Sequence, residues 1–133
     1  MAYNLKYNTG MIENPISFRD TNGLNVENIV SLMSQKAEEL GVPARITTST
    51  VKEGGLFGST YPCVVINHPN PPQQYFTDVY IINGNTATNK ANARKNTLTG
   101  MIMNSIAGSN EMAYQQEMFW HRQIYEIFES LIQ

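Results

Sequence analysis

The hydrophobic pattern of this chain is most regular at its end. From Asn110 to Gln133, Tyr114, Met118, His121, Tyr125, Phe128 and Ile132 recur at alternating steps of four and three. A second stripe, Trp120, Ile124, Ile127 and Leu131, runs beside it at the same spacing. Two adjacent stripes predict one long helix with an apolar face wider than a coiled-coil seam, so the helix must be covered on more than one side.

An earlier helix is marked by Val26, Ile29, Val30, Met33, Ala37 and Leu40, with Asn25 as its N-cap. Gly41 stops it and Pro43 prevents its continuation. Three strand-like segments follow. Residues 44–52 are rich in Thr around Ile46 and Val51, residues 61–68 contain Cys63-Val64-Val65-Ile66, and residues 75–82 contain Val79, Ile81 and Ile82. Gly54-Gly55 with Gly58 separates the first two, and Pro69-Asn70-Pro71-Pro72 the second and third. In the third, Tyr75, Thr77, Val79 and Ile81 alternate with Phe76, Asp78, Tyr80 and Ile82, so both faces of this strand are expected to be partly covered.

After Asn83-Gly84, the residues Ala93, Leu98, Met101, Ile102 and Ile106 predict a second helix over roughly 89–107, ended by Gly108. The expected fold class is therefore α+β: a helix, a three-stranded antiparallel sheet and two helices, with the long amphipathic C-terminal helix packed on the sheet. One domain over 1–133 is expected, with residues 1–24 as an N-terminal arm or hairpin and 25–133 as the compact core.

Composition narrows the function classes. Only 15% of the 133 residues are charged and the net charge is −2, which argues against wholesale binding to nucleic acid or an anionic membrane. A single cysteine, Cys63, leaves no disulfide framework and no multi-cysteine zinc site. The opening Met-Ala-Tyr-Asn-Leu-Lys has no signal-peptide pattern, and no apolar run is long enough to span a bilayer. A cytoplasmic protein is the expectation.

Candidate chemistry is sparse. Cys63 and His68 are the pair to test for a thiol nucleophile, but positions five apart on one strand point to opposite faces. His121 lies on the apolar stripe with Glu117 and Tyr125 one turn to either side, where a carboxylate could orient the imidazole. Asp78 is unusual as an acid in mid-strand between apolar neighbours; a cross-strand partner or an edge position explains it without catalysis. Gly54 to Thr60 lacks both the Lys-Ser/Thr ending and the following helix of a phosphate-binding loop. No catalytic residue, metal or cofactor is assigned.

Lys90, Arg94 and Lys95 cluster where the second helix should begin, and amide donors and cations pointing one way would bind an anion. The order helix, three strands, helix, with basic residues opening the second helix, resembles a double-stranded RNA-binding domain over about half the chain. The resemblance implies that Lys90, Arg94 and Lys95 would grip phosphates. The double-lysine motif of that family is absent, and a long third helix follows instead. The leading expectation is a non-enzymatic binding protein that forms a homo-oligomer or docks a protein partner through its C-terminal helix. Tyr114, Trp120, Ile124, Tyr125 and Phe128 are its candidate interface. The competing reading makes that helix the central core helix of a monomer. Phosphate-ligand or nucleic-acid binding through the basic cluster is the alternative function, and an enzyme whose site is invisible in sequence is the third.

Overall fold

The computed structural model describes residues 10–11, 16–53, 58–69, 76–93 and 109–132. Two short strands, β1 (Gly10–Met11) and β2 (Ile16–Phe18), precede helix α1 (Val26–Leu40). Strands β3 (Arg45–Glu53), β4 (Ser59–Asn67), β5 (Phe76–Asn83) and β6 (Thr86–Ala93) follow, and helix α2 (Ser109–Ile132) closes the chain. The order across the sheet is β1/β2, β6, β5, β4, β3, with every pair antiparallel. Because β1 and β2 both pair along β6, they share one edge position, and the sheet is five strands wide.

Among the described residues there are two helices and a sheet five strands wide, which corrects the expected three-stranded sheet with three helices, while the α+β class stands. The region from Thr86 to Ala93 is a strand, not the opening of a helix. Its helix-side positions, Ala87, Asn89 and Ala91, are small or polar, so the period-two alternation carries no hydrophobic signal. The hairpin that makes it is nonetheless chemically marked. Asn83 pairs with Thr86, leaving Gly84 and Asn85 as a two-residue loop. Gly84 takes φ +61°, and a glycine with positive φ at the first of two loop positions matches the twist of antiparallel strands. Residues 94–108, the remainder of the expected second helix, lie outside the described residues, as do 1–9 and 12–15 of the expected N-terminal arm.

Helix α1 falls where its pattern places it. Asn25 and Asn28 form a reciprocal capping box, the Asn28 N–H donating to Asn25 Oδ1 at 2.8 Å. Gly41 ends the helix at φ +68°, and its N–H together with that of Val42 donates back to the last-turn carbonyls. Pro62 is tolerated inside β4 because β5 pairs only from Cys63 onward, so no second neighbour needs its missing N–H.

Both helices cover one face of the sheet. Trp120 Nε1 donates to the Pro43 carbonyl at 2.6 Å, just beyond the end of α1. At the other end, Asn22 Nδ2 donates to the Ile132 carbonyl at 2.7 Å, just before α1 begins. The helices therefore run antiparallel, and Asn22 satisfies a terminal carbonyl of α2. Between helices and sheet lie Ile29 and Met33 of α1, Val64, Ile66, Tyr80, Ile82 and Ala87 of the sheet, and Trp120, Ile124, Ile127 and Phe128 of α2. Phe128 stacks on Tyr80 with ring centres 4.1 Å apart and meets Phe18 at 5.0 Å, fixing β2 to the same core. The opposite face holds a second buried cluster, Val51, Cys63, Val65, Val79 and Ile81. No helix among the described residues is long and apolar enough to cross a membrane.

Candidate functional site

The mid-strand acid singled out by the sequence is buried. Register places Asp78 opposite Ala91 and Tyr80 opposite Asn89, so all four side chains share the helix-facing side of the sheet. His121 descends on them from α2. Asp78 is 0% and His121 1% exposed. His121 Nδ1 lies 2.7 Å from Asp78 Oδ1, and Asn89 Nδ2 donates diagonally across the strand pair to the same oxygen at 3.1 Å.

Two constraints follow from donor and acceptor inventory. A carboxylate accepts, so Nδ1 of His121 carries the proton in this contact, whatever the ring's total charge. Turning the Asn89 amide over would set its oxygen against that carboxylate, so Nδ2 must face Asp78. Asp78 Oδ2 and Asn89 Oδ1 meet no hydrogen-bond donor among the described residues, although both are buried. Such a cluster is strongly position-selective, because a small slide of α2 would strand three polar groups in an apolar layer.

The arrangement orients an imidazole as a general base would be oriented, but beneath the helix rather than in an open cleft. The thiol is elsewhere. Cys63 lies on the far face of the sheet, paired with Ser49 on β3 and Ile81 on β5. Burial pushes its pKa up to about 11, partly offset by a backbone hydrogen bond from Ser49. His68, just past β4, packs against Trp120 with ring centres 5.5 Å apart on the helix side. Cys63, His68 and His121 are thus not brought together. Among the described residues, no group of three His, Cys, Asp or Glu converges as metal ligands would.

The basic cluster is divided differently from its expected helical form. Lys90 sits in β6 opposite Val79, half-buried on the face away from the helices, and the element order behind the RNA-binding resemblance is not present. It borders a cavity of about 190 Å³ lined also by Tyr61, Ile81, Asn83 and Thr88. Arg94 and Lys95 lie outside the described residues.

Of the candidate interface residues, Trp120, Ile124 and Phe128 are buried in the chain's own helix–sheet core. Tyr125 is half-buried, its ring 5.6 Å from that of Phe18, and the Tyr114 side chain lies outside the description. Among the described residues, the exposed large apolar side chains are others. Phe119 is 65% exposed, Leu40 58% and Leu32 38%, and all three are on the two helices. Leu32, Lys36 and Leu40 follow one another by four on α1, while Phe119 and Gln123 do so on α2. Between them lies a groove of about 270 Å³, lined by Leu40, Val42 and Ile127 with Lys36, Gln123 and Glu126 around it. Leu32 and Phe119 fall off the predicted stripes, each a single apolar residue on a polar flank, whereas Leu40, the last position of the apolar pattern of α1, is turned outward at the helix end.

Comparison with protein-family models, curated proteins and solved structures finds no match.

Proposed function

We propose that this is a non-enzymatic binding protein that docks a protein partner along its C-terminal helix, in the groove between α1 and α2. The observation that carries this reading is the concentration of exposed large apolar side chains. Leu40 lines a concavity with an aliphatic floor, and Leu32 and Phe119 are exposed on the same two helices, each one turn before a lining residue, Lys36 and Gln123. Apolar anchors entering such a groove, with charges kept to the rim, are the usual way an amphipathic helix is captured. Lys36 and Glu126 supply a rim of both signs, which would orient the incoming segment. Panning the full chain against a displayed library of helical peptides tests this. Enriched sequences should carry apolar residues at helical spacing and lose binding to the Leu40→Glu and Phe119→Glu variants. A library that yields no binder, or binders indifferent to both substitutions, overturns the reading.

A second reading rests on Lys90. The cavity it borders combines an ammonium with the Asn83 amide and the Thr88 hydroxyl, donors suited to a small anion. Calorimetry with inorganic phosphate, comparing the native chain with Lys90→Gln at low and high salt, distinguishes it from groove binding.

A further inference from the structure

We propose that the chain forms a homodimer by pairing the outer edge of β3 with the same edge of a second copy. The sheet would then continue across a two-fold axis at Ser49. This goes beyond groove binding and stands on different observations.

The two edges of the sheet are built differently. One is occupied by β1 and β2, two and three residues long. Short strands of this kind are a common means of blunting an edge. The other edge is β3, whose nine residues match β4 one to one from Arg45–Asn67 to Glu53–Ser59, without a bulge. Among the described residues, no strand other than β4 pairs with it. The stretch from Ile46 to Val51 contains neither proline nor charge, and Thr47, Thr48 and Thr50 are exposed. In an antiparallel edge strand, backbone N–H and C=O groups turn outward at alternate residues, and a long, regular, uncharged one is a template for another strand.

Charge and register select a second copy as the occupant. Antiparallel pairing about Ser49 sets Arg45 against Glu53 of the second copy and Ile46 against Lys52. It also sets Thr47 against Val51, and Thr48 against Thr50. Opposite charges and threonine pairs directly across are favourable on a sheet face, and each falls twice in this symmetric arrangement. Moving the axis to Thr48 or Thr50 removes the Arg45–Glu53 match. With the axis perpendicular to the sheet, both helical layers stay on the same side, so the apolar face of one copy is not turned outward by joining the other.

The test measures mass and register together on the full chain. Light scattering at micromolar concentration should return the mass of two chains. The Thr48→Lys/Thr50→Lys variant sets like charges across the axis and should return one chain, with native circular dichroism and native Trp120 emission. Thr48→Lys/Thr50→Glu sets opposite charges there and should return two chains again. On oxidation, a mixture of Thr48→Cys and Thr50→Cys chains should form an intermolecular disulfide, while neither variant should do so alone. Cys63 does not compete, being buried on the other face. Native protein of single-chain mass overturns the proposal. So does a dimer that survives Thr48→Lys/Thr50→Lys, or a Thr48→Cys chain that cross-links to itself. Leu40→Glu should leave the dimer intact, so failure of the edge and failure of the groove are read separately.

Discussion

Replacing Asp78 with alanine should be among the most damaging single changes in this protein. The carboxylate accepts from His121 at 2.7 Å and from Asn89 at 3.1 Å, and all three residues are essentially without solvent. Its removal strands two donors, each costing about 1–3 kcal/mol when buried without an acceptor. The sum overlaps the loss of about 3–5 kcal/mol seen when one member of a buried pair is deleted. Against a total stability of about 5–15 kcal/mol for a domain, that is a large share. The chain has a single tryptophan, Trp120, buried next to His121, so urea unfolding can be followed by its emission. With a slope of about 2 kcal/mol/M, the midpoint should fall by about 2 M. The double variant Asp78→Leu/His121→Leu should be less destabilised than Asp78→Ala alone, because it leaves only the Asn89 amide to satisfy and fills the space with aliphatic volume. A loss under about 1 kcal/mol for Asp78→Ala would refute the reasoning, as the group could not then be both buried and bonded. Additive losses in the double variant would refute the coupling.

Two further outcomes concern the far face and the end of α1. Cys63, with its folded pKa raised from 9.0 to about 11, should resist Ellman's reagent in the native state and react on unfolding. A raised pKa favours the neutral thiol in the folded state, so this contribution to stability is intact below pH 9 and is lost as pH rises toward 11. Cys63→Ala should flatten that part of the stability–pH curve. Gly41→Ala should cost about 1–2 kcal/mol in the same urea assay, since a Cβ there meets no neighbour within 4 Å and only the backbone at φ +68° resists it.

Elements whose own residues carry their signal were legible in the sequence. Helix α1 has a cap, a periodic face and a stop within one stretch, and α2 has one stripe from Tyr114 to Ile132 and a second beside it from Trp120 to Leu131. Strands β4 and β5 have runs of β-branched and aromatic residues, and β3 is dense in threonine. Strand β6 was lost because its inward positions are Ala87, Asn89 and Ala91, and a layer built of small residues leaves no hydrophobic period to read. The Gly84-Asn85 loop was the available clue, since a two-residue loop calls for a returning strand. The polar cluster was half legible. Asp78 announced itself as an acid between apolar neighbours, but sequence logic gave His121 a local partner in Glu117. The partner in the fold is Asp78, 43 residues away, and only the crossing of α2 over β5 brings them together.

That crossing also bears on where recognition can take place. Tyr80 and Ile82 face the helices from β5 while Val79 and Ile81 face the other way, and all four are buried, as are Cys63 through Ile66 on β4. A strand enclosed on both sides offers a partner neither side chains nor backbone, since its ladder is already filled. What the inner strands give up, the periphery retains: the outer flank of the helical pair and the edge of β3. These two surfaces depend differently on the buried polar cluster. Oil-like packing against Val64, Ile66 and Ile82 would tolerate α2 in several neighbouring positions, because aliphatic contacts are non-directional. A hydrogen-bonded carboxylate would not, because displacing His121 by one turn leaves Asp78 unmatched. Loosening Asp78–His121 should therefore disturb the groove, whose one wall is α2, and leave pairing along β3 unchanged.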